Sequence, residues 1–163
     1  MFESAVIRIV ADGAVVPVVL IGAYVLLFNI PKGHRYEAYC RILMAGITAY
    51  LIAKLLGTIY QPAAERPFEA LGITPGAAFL NNPGFPSDHA LFVTAITLAV
   101  WFETHMKKIT ILLAVLTVLV CVGRVLALVH TPLDVIGGIL VALTGIVWYL
   151  NKPTAEKTSK VNV

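Results

Sequence analysis

The chain has 163 residues, 59% of them apolar and 13% charged, with a mean hydropathy of +0.88. That is too apolar for an ordinary soluble domain of this length and describes an all-α bundle of membrane helices: one domain over residues 1–150 and a polar tail at 151–163. The net charge of +3 is modest, and no run of Lys or Arg marks a nucleic-acid-binding face, so nucleic acid is not an expected partner.

Residues 1–11 carry Glu3 and Arg8 among Phe2, Val6, Ile9 and Val10, and read as an interfacial lead-in or the outer end of a first helix. No basic segment with a small-residue cleavage site stands at the start, so residues 1–30 read as retained. Five apolar segments follow at 13–30, 38–60, 88–102, 109–128 and 133–150, each near the ~20 residues that cross a bilayer. The third is short, which implies a tilt or a start below the interface. Between the second and third lies a connection, 61–87, with Pro62, Pro67, Pro75, Pro83 and Pro86. It also holds Phe68, Leu71, Ile73, Phe79, Leu80 and Phe85, so it is expected to lie in the headgroup layer or to cover a pocket. Asp12 and Glu69 read as surface or interfacial groups, and Gly137, Gly138 and Gly145 as sites of close helix packing.

Charge placement orients this bundle. Lys32, Arg35, Arg41, Lys107, Lys108, Lys152, Lys157 and Lys160 fall on one side, which the positive-inside rule makes cytoplasmic. Trp101 and Trp148 reach the same side as interfacial aromatics. The expectation is a multi-pass protein of a bacterial cell membrane, N-terminus outside, C-terminus inside. Cys40 and Cys121 then lie toward opposite faces and are expected as free thiols.

Ionisable groups at membrane depth are costly and mark function when they gather. Lys54, Arg66, Ser87, His89, Arg124, His130 and Asp134 all map to the outer ends of the helices. Two helix N-termini and three cations there describe a phosphate pocket at the bilayer surface, so the expected partners are the bilayer and a phosphorylated lipid. One histidine can attack phosphorus while the other protonates the departing oxygen. Asp134, four residues after His130, is placed to orient it. Structural roles stand beside these: Ser87 as a helix N-cap, Thr131-Pro132 with Asp134 as a near capping box, and Arg124 snorkelling to headgroups.

The order Lys54, Arg66-Pro67, Pro86-Ser87-Asp88-His89, then Arg124, His130 and Asp134 at R-x5-H-x3-D, resembles the type 2 phosphatidic acid phosphatase (PAP2) superfamily. The Phe85-Pro86-Ser87-Asp88-His89 phrase and the short chain are similar to its bacterial undecaprenyl-diphosphatase branch. The resemblance implies a haloperoxidase-like helical core and hydrolysis without a metal or other cofactor. It further implies His130 as nucleophile, Asp134 as its orienter and His89 as general acid. Arg124, Arg66, Ser87, the Asp88 backbone N–H and Lys54 would bind phosphate. The chain departs from the family's pattern in four places. Eleven residues separate Lys54 from Arg66, a wider interval than usual; Asp88 replaces a glycine; Gly123 stands where a serine often precedes the arginine; and one crossing is missing. Substrate identity stays open between undecaprenyl diphosphate and phosphatidylglycerophosphate or phosphatidic acid. A metal-dependent hydrolase using Asp88, His89, His130 and Asp134, and a non-catalytic lipid-binding or transport protein, are the other classes.

Overall fold

The computed structural model describes residues 6–62, 65–79 and 84–150; the tail at 151–163 lies outside them, as do 1–5. Among the described residues all regular structure is helical. A π-helical turn, Ile9–Gly13, leads into α1 (Val15–Phe28). There follow α2 (Arg35–Ile59), a short α3 (Pro67–Ala70), α4 (Asp88–Thr104), α5 (Lys107–Leu126), α6 (Pro132–Thr144) and α7 (Ile146–Leu150).

Among these residues four helical spans are long and apolar enough to cross a membrane: Val6–Phe28, Lys32–Ile59, Lys107–Leu126 and Pro132–Leu150. The first begins earlier than expected. Of the two readings of this stretch, the outer end of the first helix holds for residues 6–12, which continue α1 outward through the π turn. The remaining expected span, third in chain order, is α4; its 17 residues at 1.5 Å each make about 25 Å, short of a full hydrocarbon core. It is the central helix, packed against α1, α2, α5, α6 and α7. Its inner position explains how a short helix suffices, since its neighbours cover it.

Val18 and Val25 of α1, Val93 and Val100 of α4, and Leu113 and Val120 of α5 make one fully buried core. The largest exposed apolar side chains lie on the outward faces of the long helices, such as Leu43, Leu51, Ile111, Val118 and Leu140. In water these would be a liability; in a bilayer they face lipid. Cys40 and Cys121 are both free, as expected.

At the end of the bundle remote from the candidate site, Arg41 of α2 grips Glu103 of α4 through two hydrogen bonds of 2.8 Å. The described middle of the connection 61–87, residues 65–79, packs against the bundle. Phe68 N–H donates to Leu128 O and Gly76 N–H to Ala127 O, each at 3.0 Å, so it folds down over the α5–α6 corner. Buried Phe68 packs with Ala127 and Val129 there. At that corner Leu128 takes a left-handed backbone (φ +59°), a conformation costing a non-glycine residue roughly 1–2 kcal/mol. The turn it makes delivers Val129 and His130 to the inside.

Two glycines set how closely the site's elements approach. A Cβ on Gly138 of α6 would lie 2.5 Å from Ser87 O, and one on Gly123 of α5 would lie 2.8 Å from Ala11 Cα. The first brings α6 against the start of α4, and the second brings the π turn against the end of α5.

Candidate active site

Local capping places the central pair. Pro132 opens α6 at its first turn, and Thr131 and Asp134 form a capping box: Thr131 N–H donates to Asp134 Oδ2 at 2.7 Å, and Asp134 N–H to Thr131 Oγ1 at 3.2 Å. The same Oδ2 stands 3.6 Å from His130 Nδ1. The oxygen that caps α6 is thus also the one that faces the His130 imidazole. His130 and Asp134 are both buried. Burial is the largest influence on His130 and lowers its pKa; Asp134 opposes this, and the charges of Arg124 and Arg66 reinforce it.

The Pro-Ser-Asp-His phrase meets this pair directly, because Ser87 N–H donates to the main-chain oxygen of Asp134 at 2.9 Å. Ser87 is fully buried and N-caps α4, its Oγ accepting from Ala90 N–H at 3.5 Å, the outer limit of a hydrogen bond. His89, half-buried in the first turn of α4, lies within electrostatic reach of Arg124, His130, Asp12 and Asp88.

The two arginines come from different elements, Arg66 from the connection and Arg124 from α5. Arg66, buried just before α3, donates through Nη1 to Val129 O at 2.6 Å and sits 5.4 Å over the Phe79 ring. Its own N–H is taken by Glu69 Oε2 at 2.8 Å, so Glu69 braces α3 rather than being a plain surface group. Arg124, in the last turn of α5, is only 1% exposed. Its Nη1 donates to Asp12 Oδ1 and to Ala78 O, both at 2.8 Å, while its buried Nε has no partner among the described residues. Arg124 thus does not snorkel outward.

Lys54 reaches the rim. Its Nζ is 3.2 Å from both carboxylate oxygens of Asp88 and lies 5.1 Å over the Tyr50 ring. Two departures from the family's pattern meet here: the lysine at unusual spacing pairs with the carboxylate that replaces glycine. Beside them a cleft of about 190 Å³ is lined by Lys54, Gly57, Phe85, Pro86 and Asp88. Among the described residues no group of three or more His, Cys, Asp or Glu gathers as a metal site.

Every sequence-singled residue therefore falls at one end of the bundle. Six converge on the α5–α6 corner and the start of α4, with Lys54 at the edge. The residue missed is Asp12, read from the sequence as a surface or interfacial group. Its signal was the one that singled out Arg124, a charge inside an apolar helix. No motif surrounds it, and its partner is 112 positions away.

A multi-pass helical bundle with buried arginines and a buried His–Asp pair gathered at one end has the make-up expected of a membrane phosphatase. A family model described as the PAP2 superfamily matches residues 38–157, and the chain belongs to that superfamily. It is similar to undecaprenyl-diphosphatase BcrC of Bacillus subtilis (strain 168), with 28% identity over 141 residues, covering 86% of this chain and 69% of that protein. No solved structure matches it.

Proposed function

We propose that this phosphatase hydrolyses a lipid diphosphate, undecaprenyl diphosphate by preference, at the outer membrane face through a phosphohistidine intermediate. The observation that carries the reading is the buried His130–Asp134 pair, 3.6 Å apart, with Arg124 and Arg66 close enough to act on the same imidazole. With Nδ1 turned to Asp134, Nε2 of His130 attacks the terminal phosphorus. The P–O bond to the lipid phosphate breaks as the N–P bond forms, and His89 gives its proton to the departing oxygen. Asp134 stabilises the resulting imidazolium. His89, now neutral, takes a proton from water, whose oxygen attacks phosphorus as the N–P bond breaks and its electron pair returns to His130 Nε2, releasing inorganic phosphate. Arg124 and Arg66 hold the equatorial oxygens, the buried Ser87 and the Asp88 N–H at the start of α4 add donors, and Lys54 serves at the rim. These groups supply the positive charge the transition state needs, so turnover is expected without a divalent metal.

Identity to a protein named an undecaprenyl-diphosphatase supports the prenyl diphosphate; the placement of basic residues supports an outward-facing site with the C-terminus inside. The test is phosphate release by the purified protein in detergent, with EDTA, from prenyl diphosphates, phosphatidylglycerophosphate and phosphatidic acid. Prenyl diphosphate turnover that His130→Ala abolishes is the expected result. Undiminished turnover by His130→Ala would rule out the phosphohistidine route, and binding without turnover would leave only a lipid-binding role.

A further inference from the structure

Asp12 lies outside the stretch matched to the PAP2 superfamily, on the first membrane helix, yet it touches the most deeply buried cation of the site. The contact has a particular form. Asp12 Oδ1 accepts from Arg124 Nη1 at 2.8 Å, and Asp12 Oδ2 accepts from Ala78 N–H at 2.9 Å. Ala78 O accepts from the same Nη1 at 2.8 Å. Carboxylate, peptide and guanidinium close a triangle in which each is held by the other two.

A carboxylate present only to neutralise a buried arginine would pair with it through both oxygens, the fork-to-fork arrangement that arginine and carboxylate favour. Here one oxygen is spent on the backbone, and a single nitrogen of the guanidinium receives both acceptors. The rest of the fork is left over, including Nε, which is buried and without a partner among the described residues. An unpartnered buried donor is costly, and an incoming phosphate oxygen satisfies it.

Gly123 belongs to the same device. A Cβ there would lie 2.8 Å from the Ala11 backbone, so a serine at this position would push the π turn, and Asp12 with it, away from Arg124. The absence of a side chain at 123 is thus what lets the Asp12 carboxylate stand against the arginine.

We infer that Asp12 is a positioning residue for phosphate transfer, anchoring Arg124 by Nη1 so that its remaining N–H groups are aimed at the phosphate. The inference rests on the reading of Arg124 as a phosphate clamp.

The test uses the full chain in detergent, with two readouts: binding of inorganic phosphate, followed by protection against thermal unfolding, and turnover of a prenyl diphosphate. Asp12→Asn keeps the shape and removes the charge; it is expected to weaken phosphate binding and lower kcat/KM about tenfold, the scale of one misdirected charge-assisted hydrogen bond. Asp12→Glu should recover part of this, and Gly123→Ala should reproduce the loss by displacing the π turn. In an Arg124→Lys background, which retains charge but has no planar fork to orient, Asp12→Asn should cost nothing further. Phosphate bound equally well or more tightly by Asp12→Asn, or a loss that adds in full to that of Arg124→Lys, overturns the inference. Absence of lipid turnover by the native chain would instead overturn the proposed reaction, and the phosphate-binding readout would still decide the role of Asp12.

Discussion

Oδ2 of Asp134 lies 2.7 Å from the backbone nitrogen of Thr131 and 3.6 Å from Nδ1 of His130, so one atom caps a helix and faces a histidine. The two roles separate by substitution. Asp134→Asn retains an oxygen able to accept from Thr131 and loses the charge. It should fold with nearly native thermal stability while kcat falls about 10²–10⁴-fold, the usual worth of an oriented proton-transfer or nucleophilic histidine. Asp134→Ala should add a stability loss of about 1 kcal/mol as the cap is lost. Native turnover by Asp134→Asn would reduce Asp134 to a cap.

The lowered pKa of His130 makes a statement about pH. In the folded protein the imidazole stays neutral at pH values where the unfolded chain, near the ordinary 6.5, already takes up a proton. The unfolded state therefore binds more protons, and stability must fall as pH drops below about 6.5. The nucleophile, by contrast, remains unprotonated there. The acid limb of phosphoenzyme formation, measured in single turnovers, should accordingly lie below pH 6.5 and not at it.

Gly138 and Gly46 are both helical, with opposite surroundings. A Cβ at 138 meets Ser87 O at 2.5 Å, whereas one at 46 meets nothing within 4 Å. Gly138→Ala should force α6 from the start of α4, costing about 1–3 kcal/mol in thermal denaturation and most of the activity. Gly46→Ala should be neutral or stabilise by up to about 1 kcal/mol, because glycine is a poor helix former. Equal tolerance at both sites would contradict the packing described.

Lys54 and Asp88 form an exposed pair, worth at most about 1 kcal/mol to stability. Asp88→Gly removes a negative charge from the rim and releases Lys54 toward the substrate. The expected result is a KM for lipid diphosphate lower by a factor of about five or less, more pronounced at low ionic strength. The gain should vanish when Lys54→Met is added.

Where residues act on near neighbours, the sequence was informative. Ser87, Thr131, Pro132 and Asp134 announce two helix starts by local chemistry, and the spacing of Arg124, His130 and Asp134 survives folding almost unaltered. What was illegible depends on distance or on backbone conformation. Nothing beside Asp12 points to a guanidinium 112 positions on, and no residue rule foresees a leucine in the left-handed turn at 128. Likewise the sequence showed α4 to be short but not that it lies at the centre, since centrality is a property of the assembled bundle. Residues 65–79 were legible as apolar but not as a clasp over one corner, since their bonds to Ala127 and Leu128 join backbones and only the one to Val129 comes from a side chain, that of Arg66.

The Arg41–Glu103 and Lys54–Asp88 pairs fasten the same two helices, α2 and α4, at opposite ends. They are unequal fasteners: Glu103 is 3% exposed and doubly bonded, whereas Lys54 and Asp88 are 44% and 34% exposed. A seam clamped at one end and lightly latched at the other is built like a clothes-peg, with its stronger grip away from the site. On the strength of these two pairs alone, the seam is the easier to part beside Phe85 and Pro86, at the same end as the histidines and arginines.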